Sequence, residues 1–371
     1  MNHDGNNPPD EARTMPSDAT RQQNIRRATI AATVGTVIEW YDYALYGAAS
    51  GLIIGKLFFP SLSPVSGILA AFATFAVGYF IRPLGGVVIS HIGDRIGRKP
   101  AMILTIVLMG AATVGMGLLP TYGQIGFMAP VLLVLMRMLQ GFGAGAELAG
   151  AITLVAEYAP PNRRAFYTAL PNAATLVGIM FATLSFLLIS SLPETALLSW
   201  GWRIPFLASG LLFFVAFYIR KHLDETPEYV AAMKKADERQ HEQKIPLGEL
   251  LRNSPKEVFF GFLSVTGHNA NAYILSAFTL SYMANTLGMP STAGLTAVTV
   301  ASICGIIGTP LLGALADRVG SAKVYIGGAV FVGLFAFPLF ALLDTKSLFW
   351  ATVGMSLGDG IGFGAIAGAQ G

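Results

Sequence analysis

Gly93-Asp94-Arg95-Ile96-Gly97-Arg98-Lys99 and Ala316-Asp317-Arg318-Val319-Gly320 share an Asp-Arg-x-Gly tetrad, although more than half of the chain separates them. Each tetrad closes a long apolar run, the second such run of its half of the chain. Glycine lets a short turn close tightly. Aspartate suits the positive end of a helix, and arginine suits carbonyl ends or carboxylates. One copy would carry little weight. Two at matching places point to an internal duplication, with two parallel six-helix halves about an axis along the membrane normal.

The composition around these turns agrees. Charged residues make up 12% of the 371 residues, against about 25% in soluble proteins. Hydrophobic residues reach 53%, and the mean hydropathy is +0.58. Such a chain cannot build a water-facing surface, so it reads as an all-α polytopic membrane protein. Runs of about 20 apolar residues, enough to cross the hydrocarbon layer, place helix 1 at 28–56, helix 2 at 65–90, helix 3 at 100–120 and helix 4 at 127–156. Helix 5 falls at 165–191, helix 6 at 203–221, helix 7 at 256–286, helix 8 at 292–315, helix 9 at 322–343 and helix 10 from 347. Residues 1–25 read as a disordered cytoplasmic tail, 26–221 as the first half, 222–255 as a cytoplasmic linker and 256–371 as an incomplete second half.

Lys and Arg fix the orientation. With the N-terminus inside, 19 of the 24 basic residues are cytoplasmic and three are outside: Lys56, Arg203 and Lys346. Arg82 and Arg137 lie within the membrane. The basic residues form no stripe suited to nucleic acid. The single cysteine, Cys304, excludes a disulfide framework. No metal-ligand cluster or nucleotide-binding loop is present, and no enzymatic chemistry is indicated.

Further motifs accompany the tetrads: Glu39-Trp40-Tyr41-Asp42-Tyr43 with Tyr46-Gly47, Arg82-Pro83-Leu84-Gly85-Gly86, Arg137-x-x-Gln140-Gly141 with Glu147, Trp200-Gly201-Trp202-Arg203, and Glu225-Thr226-Pro227-Glu228-Tyr229. With its double Asp-Arg-x-Gly loops the chain resembles the major facilitator superfamily, and within it the metabolite:proton symporter family. Ser90 stands where the superfamily loop opens with glycine, and Ser321 and Ala322 replace the basic pair of the second copy. The resemblance implies a twelve-helix fold, about ten helices of which this chain supplies. It implies helices 1, 4, 7 and 10 around a central cavity, and gating roles for Asp94, Arg95, Gly97, Arg98, Asp317, Arg318 and Gly320. It also implies uptake of a small carboxylate-bearing metabolite, such as shikimate or a di- or tricarboxylate, driven by a proton gradient without a cofactor. Residues 165–190 hold one glycine, Gly178, rather than the antiporter motif of the superfamily, which favours symport. The expected setting is a bacterial-type inner membrane, with the lipid bilayer and the substrate as partners and the chain as a monomer. Uptake of the osmolytes proline and glycine betaine is a second reading. A membrane-inserted chain that does not transport is a third.

Ionisable groups inside membrane helices are costly and mark function. Glu39 and Asp42 share one face of helix 1, and two carboxyls in one low-dielectric site cannot both ionise cheaply. One of them is the expected proton carrier, the alternative being structural ion pairs. Arg82 is expected to pair with Glu39 or Asp42, or to bind substrate. Arg137 suits a substrate carboxylate through its planar fork, or pairs with Glu147 or Glu39. Glu147 is a second proton site, a gate partner or a structural group. Gly141, Gly143 and Gly145 are expected to allow close helix packing. On helix 7, His268, Asn269, Asn271, Tyr273, Ser276, Thr279 and Tyr282 suggest a face lining a wet cavity. Asn269, Tyr273 and Gln140 join the arginines as substrate contacts. His268 is either a neutral hydrogen-bonded group or a proton carrier, and Asp359 on helix 10 could complete the cavity.

Overall fold

The computed structural model describes residues 18–96, 98–145, 152, 155–156, 159–222 and 252–370. Glu147, Gly97, residues 1–17 and nearly all of the 222–255 linker lie outside them, as do the side chains of Asp94, Arg95 and Arg98. The described residues form helices joined by short turns. α1 runs Asp18–Ala49 and continues through a π-helical segment, Ser50–Ile54, to Gly55–Phe58. It starts inside the stretch expected to be a disordered tail. α2 is Pro64–Ile96, α3 Arg98–Leu118, α4 Met128–Gly143, α5 Arg164–Ile189 and α6 Arg203–His222. In the second half, α7 is Pro255–Tyr273 followed by π segments Ile274–Phe278 and Tyr282–Thr286 around Thr279–Ser281. α8 is Ser291–Val319, α9 Ser321–Asp344, and α10 Leu348–Leu357, extended by the π segment Gly358–Phe363 and Gly364–Gly368.

Among the described residues, four helical stretches are long and apolar enough to cross a bilayer unaided: Pro64–Ile92, Pro161–Ile189, Ser291–Val319 and Ser321–Asp344. The bent pair Glu194–Gly201 and Arg203–Val215 makes a fifth. α3 and α4 contribute shorter apolar stretches, Ile103–Leu118 and Met128–Gly143. Helices stand at all ten expected places, though among the described residues not every one reaches this length and hydropathy as a single segment. Buried charges dilute α1, and π segments divide α7 and α10. A π turn inserts a residue into the helical ladder and often marks a functional site. Here the π turns within long helices fall on α1, α7 and α10.

Small residues set the packing. A Cβ on Gly141 of α4 would lie 1.9 Å from the Gly78 carbonyl of α2, and one on Gly145 would lie 2.2 Å from the Gly86 nitrogen. Gly143 faces α3, where a Cβ would meet the Thr105 carbonyl at 3.0 Å. Backbones thus approach where apolar driving force is weak, as membrane helices require. Gly178 does the same between α5 and α1, with a Cβ 2.6 Å from the Val37 carbonyl. Arg203 donates to the Gly117 and Leu119 carbonyls at 2.9 and 2.6 Å, placing a cation on the negative C-terminal end of α3. α5 packs against α8 of the other half, and α1 against α7, so the halves meet along these pairs.

Candidate functional site

α1 carries the acids inward and α2 supplies the first cation. Glu39 is 2% exposed, and its Oε1 accepts from Arg82 Nη2 at 2.6 Å. Arg82 Nε donates to the Tyr43 hydroxyl at 3.1 Å, and its guanidinium lies 4.2 Å from the Tyr43 ring centre. Of the partners open to Arg82, the structure selects Glu39. A carboxylate and a guanidinium removed from water need such a pair to offset desolvation.

Arg137 is fully buried on α4. Its Nη1 donates to Gln140 Oε1 one turn along the helix, and Nη2 donates to the Phe75 carbonyl at 3.2 Å. Nε has no partner. The guanidinium sits 4.3 Å from the Tyr46 ring centre and 4.8 Å from that of Phe75, a cation–π enclosure. Arg137 is not paired with Glu39, whose Oε1 accepts from Arg82. Among the described residues Arg137 forms no salt bridge. Gln140, expected to touch substrate, is as enclosed as Arg137: it holds Arg137 through its oxygen and donates from Nε2 to Thr113 Oγ1 at 2.8 Å. Thr113 on α3 then donates to Asp42 Oδ2 at 3.0 Å. A continuous chain thus links Arg137 to Asp42. Asp42 Oδ1 is buried without a partner. Glu39 and Asp42 border a cavity of about 20 Å³ with Gly35, Ser209 and Phe213, room for roughly one water.

Of the α7 residues, Tyr273 alone joins this cluster. Its ring stacks on Trp40 at 5.6 Å and meets Phe75 and Tyr79 edge-on, both at 5.4 Å. A cleft of about 310 Å³ between α2 and α7 opens beside these rings. Elsewhere on α7, Asn271 has a buried Nδ2 without a partner, while three polar side chains turn back on the helix. Asn269, Ser276 and Thr279 bond carbonyls of their own helix, at 2.9, 2.7 and 2.6 Å. A side chain that turns back on its own backbone satisfies itself without a cavity. His268 packs its ring 4.8 Å from Phe363, and its Nδ1 has no partner, so the hydrogen-bonded histidine expected here is not found. Asp359 is buried in the π segment of α10 against Gly305 of α8, in the second half and away from the arginines.

The halves are tied at both ends. Asp317 accepts from the Ala165 and Phe166 backbone N–H groups, at 2.9 and 3.0 Å, through its two carboxylate oxygens. The second tetrad thus caps the N-terminus of α5 in the opposite half. Gly320 takes φ +101°, a conformation that favours glycine, in the turn to α9. Deeper in, Asn172 Nδ2 donates to the Ala367 carbonyl of α10 at 2.8 Å. At the other end, Asn285 Nδ2 donates to the Gly51 carbonyl at 2.8 Å, within the π segment of α1.

With this geometry in place, the comparison with known proteins is direct. The sequence profile of the Major Facilitator Superfamily matches residues 32–370. The chain belongs to the major facilitator superfamily. It is therefore a multi-pass membrane transporter and not an enzyme. The chain is 39% identical over 348 residues to the shikimate transporter of Escherichia coli K12, covering 91% of this chain and 77% of that one. It is 33% identical over 328 residues to a proline/betaine transporter of Salmonella typhimurium, covering 87% of this chain and 65% of the relative. Among solved structures, the partially occluded inward-open xylose transporter XylE of E. coli superposes with a TM-score of 0.68 at 18% identity, covering 94% of this chain and 85% of that one.

For a major facilitator protein the layout has a clear division. Both arginines and both buried acids of the described cluster lie in the first half, while the second half supplies Tyr273 and the end contacts. Thr113 escaped the sequence reading, since a lone threonine in an apolar helix carries no signal. Tyr43, Tyr46 and Trp40 stood in the α1 motif, but only the fold shows that Tyr43 and Tyr46 wrap the arginines.

Proposed function

We propose that this transporter is a proton-coupled symporter that takes up a small carboxylate-bearing metabolite, of the class of shikimate or a di- or tricarboxylate, with its N-terminus in the cytoplasm. The observation that carries the reading is Arg137, a fully buried cation with no carboxylate partner among the described residues, linked to a buried Asp42 whose second oxygen is open. A guanidinium takes a carboxylate through two parallel N–H bonds, and Arg137 retains an unpartnered Nε. Asp42 is the proton carrier. Its free oxygen and the adjoining cavity give a proton a place to land without breaking the Thr113 bond. Glu39, already paired with Arg82, holds α1 to α2. The end contacts at Asp317 and Asn285 serve as the two gates of alternating access, in which the halves rock about a central site.

The test is uptake of labelled shikimate into proteoliposomes under an imposed proton gradient, with α-ketoglutarate and glycine betaine as competitors. The expected result is gradient-dependent accumulation, competition by carboxylates over betaine, and loss of uptake in Arg137→Ala at unchanged protein level in the membrane. Full uptake by Arg137→Ala would refute the assignment.

A further inference from the structure

The Arg137–Gln140–Thr113–Asp42 chain has a direction. Arg137 donates to Gln140, Gln140 donates to Thr113, and Thr113 donates to Asp42. Each link follows from donor and acceptor capacity. An ionised carboxylate only accepts, so it draws the single hydroxyl proton of Thr113. The Thr113 oxygen is then left to accept, and it selects the NH2 end of Gln140. That choice turns the Gln140 carbonyl toward Arg137. All four side chains are buried, at 0–2% exposure, so water cannot substitute for a lost partner, and a mismatched donor is costly.

We propose that Thr113 and Gln140 are positioning residues that convert protonation of Asp42 into release of Arg137, through reversal of this hydrogen-bond chain. This inference rests on the symport reading above. One proton arrives at Asp42 Oδ1 from the adjoining cavity, and rotation of the neutral carboxyl brings its O–H onto Thr113. Thr113 now accepts from Asp42 and turns its own proton toward Gln140. Two donors cannot face each other, so the Gln140 amide turns over and presents its carbonyl to Thr113. Its NH2 then faces the Arg137 guanidinium. Arg137 loses its Gln140 acceptor, keeps only the Phe75 carbonyl, and its Nη1 and Nε are free for a substrate carboxylate. No proton moves beyond Asp42, and its departure restores the original sense.

Few other groups could act in place of this chain. Among the described residues, the charged groups near Asp42 are Glu39 on its own helix and Arg137 on α4, with Arg82 of α2 engaged by Glu39. Tyr41 of α1 bonds the Pro205 carbonyl. α3 and α6 offer Thr113 and Ser209, which do not titrate, and α5 carries its one charged residue, Arg164, at its cytoplasmic start.

Acid-induced infrared difference spectra of the purified full chain test the inference without substrate. The wild type should show a carboxylic C=O band that disappears in Asp42→Asn, and a side-chain amide band that disappears in Gln140→Leu. Thr113→Val should keep the carboxyl band and lose the amide band, and Thr113→Ser should keep both. An amide band that survives in Thr113→Val, or no Asp42-dependent band in the wild type, would overturn the proposal. In transport, Thr113→Val should raise the half-saturation for labelled shikimate at mildly acidic pH by about tenfold, as loss of one bond to a charged group implies. It should also flatten the pH dependence, which Thr113→Ser restores. Absence of proton-driven uptake in the wild type would count against the symport reading, while the spectra decide the relay separately.

Discussion

Replacing Asp317 with Asn should open the interface between the halves at the start of α5. The two N–H···O contacts at 2.9 and 3.0 Å use both oxygens of one carboxylate on adjacent backbone nitrogens at the start of α5. Asparagine keeps one acceptor and aims an NH2 group at the second N–H. Loss of one charge-assisted bond costs about 1.5 kcal/mol at the weak end of the range, which suits this half-buried site. Loss of the anion at a helix N-terminus adds roughly 0.3–1 kcal/mol. With the donor–donor contact the total is about 2–3 kcal/mol, or roughly a 30- to 150-fold shift between closed and open forms. The assay is a pulsed spin-label distance measurement in liposomes. Cys304 would be replaced by Ala, and labels placed at the exposed positions Asn162 and Lys323. The parent should give one short-distance population. Asp317→Asn should add a longer one comparable to it or larger. An unchanged distribution would refute the idea that this carboxylate holds the two halves together.

Three further outcomes are expected. Glu39→Leu should strand Arg82 and cost about 3 kcal/mol in thermal unfolding in detergent, at the low end for a broken buried pair because Arg82 is partly exposed. Glu39→Leu combined with Arg82→Leu should recover most of it, and additive losses would show that the pair is not coupled. Gly141→Ala forces a Cβ to within 1.9 Å of the Gly78 carbonyl and should destabilise by at least about 3 kcal/mol, whereas Gly261→Ala, which meets nothing within 4 Å, should be tolerated. Asn285→Ala removes the bond to the Gly51 carbonyl. It should raise maleimide labelling of a Ser281→Cys variant about fivefold, the shift expected from about 1 kcal/mol.

The sequence conveyed the architecture because the bilayer leaves few choices. Apolar run length, the Lys and Arg distribution and the doubled Asp-Arg-x-Gly turns each report on a constraint that acts along one dimension. Asp317 shows this best, since an aspartate read as suited to a helix N-terminus is found on the N-terminus of α5. Partner choice was legible only as a set of options. Arg82 and Arg137 both had Glu39 open to them, and which cation takes it depends on the rotation of α2 and α4 about α1. Glycine contacts such as Gly141 on Gly78 set that rotation. The α7 polar face is ambiguous for a different reason. Threonine, serine and asparagine can bond the preceding turn, so their presence on a membrane helix does not by itself imply a wet cavity. Thr113 lay beyond reach because its role comes only from Asp42 on one side and Gln140 on the other.

The placement of charge constrains how coupling can reach the gates. Asp42, Glu39, Arg82 and Arg137 all sit in the first half, yet transport requires the two halves to move against each other. A change confined to that cluster affects the second half only through shared contacts. Those on α1 include the Trp40–Tyr273 stack at 5.6 Å and the Gly51–Asn285 bond at 2.8 Å. The second lies within the π segment Ser50–Ile54 of α1, and Tyr273 immediately precedes the π segment Ile274–Phe278 of α7. A π turn can shift register at low cost, because it already departs from the regular i to i−4 ladder. Release of Arg137 removes a cation from beneath Tyr46 and Phe75, and Phe75 bears edge-on against Tyr273. In the symport mechanism proposed above, the aromatic shell is the mechanical link between proton binding in one half and gate movement in the other. Trp40→Leu should accordingly weaken accumulation against a gradient more than it weakens substrate binding. Equal losses in both would place Trp40 in the binding site and leave the link elsewhere.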